Sequence, residues 1–403
     1  MTPITNPLES LQLADLRHRT STKWRRYGDD VLPLWVAEMD VSPAPAVVEA
    51  VCDAMARGDT GYAFGTGYAE AFAAYASDRW GWEGLAVDRS APVADVLSGV
   101  DEVIGLVTSP GDAVIVNNPV YPPFYDIIRH ARRVVVESPL DEHARIDLGA
   151  LEDAMRQATS GGRPAAYLLC NPHNPTGTAH RLDELATVAE LAERHGVRVI
   201  ADEIHAPLVL GGARFVPYLS VPGAERGFAV WSASKAWNLA GLKAALLMAG
   251  SEAREDWRRR EPGASHGASH VGVIAHAAAL RDGREWLDEV LGGLDAQRER
   301  LVRLVTDLLP GVVVHRPEAT YLAWLDCRAL DLPEMPIEAD AAGSAMLTMS
   351  GPAEFFWRRA KVALNDGAAF GTGGEGHVRL NFATSREILE SALHAMADAV
   401  RSL

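Results

Sequence analysis

The feature that most restricts the fold is a series of short apolar runs separated by stretches of helical periodicity. Ala113–Asn117, Arg133–Val136, Ala165–Cys170, Val197–Ala201 and Gly227–Trp231 read as strands, being short and rich in apolar residues. Leu148–Ala158 and Leu182–Arg194 have helical spacing, the second closed by Gly196. Strand, helix, strand in that order implies a mostly parallel sheet with helices on both faces. Such sheets bind ligands beyond the carboxyl ends of their strands. Tyr121, Asn174, Asp202, Ser232 and Lys235 all fall just past predicted strand ends, so one rim collects five polar or aromatic residues.

Lys235 is the most informative of them. It follows the apolar run that ends at Trp231. Burial there disfavours the ammonium, lowers its pKa and makes the amine a nucleophile, the environment that Schiff-base lysines need. The competing account is a strand-end lysine whose stem packs while its charge reaches water. Ser232 and Ser234 lie just upstream and can donate to a phosphate, with Lys243 further along. Val96–Asp101 opens a helix running to Thr108, and its small-residue start offers free N–H groups suited to phosphate. Asp101 would repel a phosphate if it pointed inward. The glycine-rich run Gly61–Gly67 holds Tyr62 and Phe64 and either turns the chain or presents an aromatic ring outward.

The flanks read differently. Residues 1–30 are polar and mixed and read as an arm, and Leu32–Asp40 is apolar and extended. Beyond Lys243, Ser265–Leu280 and Trp286–Leu309 have helical texture. Val312–Val314, Tyr321–Leu325 and Val378–Phe382 suggest strands of a smaller α+β unit. The formal charge of −16 comes with no basic stripe, which argues against nucleic acid; Trp24-Arg25-Arg26 and Arg258-Arg259-Arg260 read as solvated faces. The longest apolar run, Ala244–Gly250, is too short to cross a bilayer. Cys52, Cys170 and Cys327 are spaced for neither a disulfide framework nor zinc, and Met1–Ser21 lacks an apolar signal core, so a cytoplasmic setting is expected. Gly371–Gly376 fits G-x-G-x-x-G but precedes a strand, the wrong context for a dinucleotide. His266, His270 and His276 have no acidic ligand spaced to join them, so no metal is expected.

Taken together, six stretches resemble pyridoxal-phosphate (PLP) enzymes of fold type I. They are Pro33–Asp40, Asn171–Gly177, Asp202–His205, Ser234–Leu242, Thr320–Asp326 and Val378–Asn381. Within the class I/II aminotransferase superfamily they are most similar to the PatB/MalY-type, cystathionine β-lyase-like C–S lyases. The resemblance implies an α/β fold: a seven-stranded-type, mostly parallel sheet in an αβα large domain over residues 46–285. Residues 1–45 and 286–403 would form the N-terminal arm and a small α+β domain.

The resemblance also assigns roles. Lys235 would hold the cofactor as an imine and then move the substrate's Cα proton. Asp202 would pair with the protonated pyridine nitrogen, Asn174 would donate to the ring's 3-oxygen, and Tyr121 would stack on the ring. The amides of Gly99 and Val100, with Ser232, would hold the phosphate. Tyr62 would reach the phosphate of the neighbouring subunit, which implies a homodimer with shared sites. Arg379 would grip the substrate α-carboxylate by a bidentate fork, with Ala37 and Tyr62 beside the substrate. His205 either contacts the cofactor or packs its loop. Lys243 stands where related aminotransferases carry arginine.

The expected activity is β-elimination from an S-substituted cysteine such as cystathionine, giving a thiol, pyruvate and ammonia. The alternative is an aminotransferase of small amino acids, in which the same residues serve. A non-catalytic PLP-binding regulator is a third class, and the intact set of Lys235, Asp202 and Arg379 weighs against it.

Overall fold

Successive residues of one strand enter opposite cores, and this builds three layers. The computed structural model describes residues 6–260, 267–333 and 349–403. Seven strands form the main sheet: β1 (Ser90–Val93), β2 (Ala113–Val116), β3 (Val134–Glu137), β4 (Ala165–Cys170), β5 (Val197–Asp202), β6 (Phe228–Trp231) and β7 (Ala245–Ala249). Their spatial order is β1-β7-β6-β5-β4-β2-β3. Strands β2 to β6 are mutually parallel, and β7 runs antiparallel to both β6 and β1. All six residues of β4 are buried. Ala166 and Leu168 pack with helices Val96–Val107 and Pro123–His130. Tyr167 and Leu169 pack with helices Gly67–Trp80, Leu148–Ala158 and Leu182–His195. That alternation is the period of two of any strand, here covered on both faces. The expected α/β architecture is the observed one.

A second, antiparallel sheet holds β8 (Val313–His315), β9 (Leu322–Asp326), β10 (Asn365–Asp366) and β11 (His377–Asn381), in the order β10-β11-β9-β8. Helices Arg284–Leu308 and Arg386–Arg401 accompany it. The N-terminal stretch joins this part of the chain: Leu32–Pro33 pairs in parallel with Val362–Ala363.

Three expectations need correction. Residues 6–30 are no detached arm, because Leu8, Leu16, Lys23 and Trp24 are buried in the main core. Trp24 turns inward, and Lys23 Nζ meets Asp40 Oδ1 at 2.7 Å with both side chains fully buried. The Arg258–Arg260 cluster is likewise not wholly solvated: Arg260 stacks on Trp257 at 4.3 Å and its guanidinium pairs with Glu102. Finally, Leu32–Asp40 forms a strand only at Leu32–Pro33; Leu34 still bonds Ala363 and Asn381, and the chain then bends at Val36–Ala37 and Asp40. Strand β1 carries no sequence signal strong enough to be read, being edge-placed and only partly buried.

Candidate active site

The carboxyl ends of the parallel strands open on one cavity of about 240 Å³. Each strand delivers a side chain by ending there. The loop after β2 places Tyr121, β4 leads to Asn174, β5 ends in Asp202, and β6 runs into Ser232, Ser234 and Lys235. Ala37 from the N-terminal stretch and Arg379 from β11 close it from the other side. Eight of the residues named from sequence therefore line one space: Lys235, Tyr121, Asp202, Asn174, His205, Ser232, Arg379 and Ala37.

Lys235 has no carboxylate partner among the described residues. Its Nζ donates to the carbonyl of Ala37 at 3.0 Å. Enclosure strips water from the ammonium and the nearby Arg379 charge adds repulsion, so its pKa falls to about 8. Asp202 is 4% exposed and accepts from the amide of Ile204 at 3.0 Å. Burial pushes its pKa up to about 7, against that hydrogen bond and the Lys235 charge. An amine made less basic and a carboxylate made less acidic share one small space. Neither is in ion-pair contact with an opposite charge among the described residues, although each feels the other's charge at longer range.

Tyr321, from the stretch just before β9, joins the site without a sequence signal of its own. Its OH donates to the same Ala37 carbonyl at 3.0 Å, and its ring meets His205 edge-on. His205 is buried with Nδ1 unpartnered, and burial plus the Lys235 and Arg379 charges holds it well below the usual histidine range, hence neutral.

Arg379 is 1% exposed and has no acid beside it among the described residues. Its Nη1 donates to Asn174 Oδ1 at 3.0 Å, its Nη2 to Asn365 Oδ1 at 2.5 Å and to Trp35 O at 3.0 Å, and its Nε is left unpartnered. Burial lowers its pKa to about 10, so it stays charged at neutral pH. Because Asn174 spends its oxygen on Arg379, its NH₂ remains the group it can offer to a ligand. Tyr121 lies over the cavity wall, its phenol pushed up to about 12 by burial.

At the other end of the cavity the expected phosphate contacts move. Helix Val96–Val107 begins after the N-cap Asp95, and the residues lining the cavity are Asp95, Val96 and Leu97. The first amides of a helix have no partner within it, so those of Val96 and Leu97 are the available donors. Gly99 and Val100, named for this task, sit deeper: Gly99 N–H already bonds Asp95 O at 3.1 Å. Gly99 serves packing instead, since a Cβ there would stand 2.8 Å from Val230 Cγ1 of β6. Asp101 is exposed and is not among the residues lining the cavity. Lys243 reaches the cavity and meets Asp95 Oδ2 at 2.7 Å. The Ser232 hydroxyl donates to Ala244 O at 2.7 Å and accepts from Ser234 N, so it braces the turn between β6 and β7. Tyr62 is 84% exposed and does not line this cavity.

No group of three His, Cys, Asp or Glu able to hold a metal occurs among the described residues. Buried His276 hydrogen-bonds Tyr68, His270 meets Asp59, and His266 lies outside the described residues. No described helix is long and apolar enough to cross a membrane.

The donor set fits a phosphorylated pyridine aldehyde. Helix-end amides, Ser234 and Lys243 suit the phosphate. Asp202 is a lone buried acid suited to a protonated ring nitrogen. Lys235 is an amine of lowered pKa, and unpartnered atoms on His205 and Arg379 await ligand.

Comparison with known proteins gives the family. The aminotransferase class I and II family matches residues 29–396. A Mycobacterium leprae protein named "Putative cystathionine beta-lyase" is 57% identical over 98% of both chains. Cystathionine beta-lyase of Corynebacterium glutamicum is 36% identical, covering 96% of this chain and 98% of that one. Among solved structures, a PLP-bound C–S lyase from Staphylococcus hominis with the inhibitor L-cycloserine superimposes with a TM-score of 0.85. It is 26% identical and covers 99% of each chain.

Proposed function

The chain belongs to the aminotransferase class I and II family as a PLP-dependent C–S lyase, and from that premise we propose that it cleaves S-substituted cysteines such as cystathionine to a thiol, pyruvate and ammonia. The observation that carries the residue assignment is the buried, acid-free guanidinium of Arg379 facing the amine of Lys235 across one cavity. A buried arginine without a counter-ion is costly, and an amino-acid carboxylate supplies one.

PLP, when bound, supplies an aldehyde that joins amines and a ring that draws electron density from the carbon beside the nitrogen. The chain's residues do the rest. Lys235 would anchor the aldehyde. Once displaced by the substrate's amine, it takes the proton from the substrate Cα, for which a pKa of about 8 leaves a useful neutral fraction. Asp202, kept from water, would pair with the ring nitrogen and keep it protonated. Tyr121 would pack on the ring face, and Asn174 would donate its NH₂ to the ring oxygen. Arg379 fixes the substrate carboxylate, which orients the Cα–H bond toward Lys235. The electron pair left at Cα would expel the sulfur from Cβ as thiolate, and water would hydrolyse the released aminoacrylate to pyruvate and ammonia. Thiolate leaves readily, so no further acid is required.

The working unit we propose is a homodimer in the cytoplasm. Support comes from the glycine-rich loop, where Tyr62 and Phe64 are exposed at 84% and 101%, and from three free cysteines. The test is direct: PLP-loaded protein is given cystathionine without any keto acid. Steady release of pyruvate, ammonia and thiol is expected. Amine transfer that starts only when a keto acid is added, with no pyruvate from cystathionine alone, would make the chain an aminotransferase instead.

A further inference from the structure

The phosphate end of the cavity holds a conflict that the reaction does not explain. Asp95 caps the helix whose first amides would receive a dianion, and it lines the same cavity. A carboxylate there neutralises the positive helix end that phosphate needs. It cannot swing aside freely, because its Oδ1 accepts from both the amide and the hydroxyl of Ser98, at 2.8 Å each. Its Oδ2 holds Lys243 Nζ at 2.7 Å. Lys243 is the movable partner: its side chain is 59% exposed, on a flexible four-carbon stem. The remaining charged residues of the cavity, Lys235, Asp202 and Arg379, belong to the strand ends and the small sheet.

We propose that Asp95 and a bound phosphate compete for Lys243, so that Asp95 lowers and thereby sets the affinity of this chain for its phosphorylated cofactor. The inference rests on the PLP reading above and adds a residue that tunes cofactor retention. Asp95 stays locked to Ser98 while Lys243 is shared with, or passes to, the phosphate. Part of the attraction of Lys243 for the cofactor is thereby spent within the protein.

The test uses the enzyme stripped of cofactor, titrated with PLP and, separately, with unphosphorylated pyridoxal, following the visible absorption of the ring. D95N is the informative variant, because asparagine caps a helix as well as aspartate and the fold is retained. It is expected to tighten PLP binding roughly ten-fold while leaving pyridoxal unchanged. In a K243M background the gain from D95N should shrink, since the shared group is gone. Unchanged or weaker PLP binding in D95N overturns the inference, as does an equal shift for both rings or an undiminished gain with K243M. Wild-type protein that binds neither ring would instead remove the cofactor reading itself, so the two failures are distinguishable.

Discussion

Two lysines are anchored on the same short stretch, and they differ in what they are given. Lys23 Nζ meets Glu38 O at 3.0 Å and Asp40 Oδ1 at 2.7 Å, and the indole of Trp24 donates to that same carboxylate oxygen. Lys235 Nζ, three residues earlier on the stretch at Ala37 O, receives a carbonyl and no carboxylate. The first is a buried ion pair that ties the helix around Lys23 to the stretch ending at Asp40. The second is left electrostatically short, and its pKa falls to about 8. Withholding a counter-ion is what separates a reactive lysine from a structural one.

Substitutions can break this contrast. Lys235→Met should lower pyruvate formation by at least about 10³-fold, measured as turnover of cystathionine, without unfolding the chain. Ligand-free K235M should melt no lower than wild type. Its relative gain should be larger at pH 6 than at pH 9, because the wild-type ammonium is enclosed and charged only below about 8. Lys23→Met should do the reverse. It strands Asp40 and should cost about 3–5 kcal/mol of stability, read by denaturant unfolding, while the protein that remains folded keeps its turnover number. A combined Lys23→Met, Asp40→Leu change should recover much of that loss. If K235M proves the more destabilised of the two, the contrast fails.

The smallest effect concerns Glu203, next to Asp202 but turned to the opposite side. It is 1% exposed, accepts from Tyr218 N at 2.7 Å, and burial pushes its pKa up to about 8. An acid whose folded pKa lies above its unfolded value of 4.5 binds more protons when folded. Stability from this group is therefore lost as pH rises from about 4.5 to 8. Glu203→Gln should flatten that part of the melting-temperature profile and leave activity near wild type. A profile unchanged by the substitution would show that Glu203 is already ionised.

The strand-end logic was readable because β4 to β6 are short, apolar and doubly covered, so their limits follow from composition. The eight expected site residues found in the cavity follow from the same logic, helped by family motifs around Ala37 and Arg379. What failed depended on pairing at a distance. Gly99 and Val100 were misplaced because glycine suggests an open turn, whereas here it lets the helix press on Val230. The true signal was Asp95 three residues before Ser98, a capping pair. Trp24 was hidden among arginines, and nothing local tells that Lys23 faces Asp40. Tyr321 looked like one more apolar strand residue; its hydroxyl acquires a purpose only once Ala37 is brought beside it.

The bond from Arg379 to the carbonyl of Trp35 joins residues 344 positions apart. The parallel pairing of Leu32–Pro33 with Val362–Ala363 spans nearly as much chain. Contacts of that separation repay their loop-closure entropy late. During synthesis the ribosome must therefore release almost the whole polypeptide before the corner around Arg379, the proposed carboxylate grip, can close. A nascent or C-terminally clipped chain would own its lysine but have nothing to hold an amino acid against it.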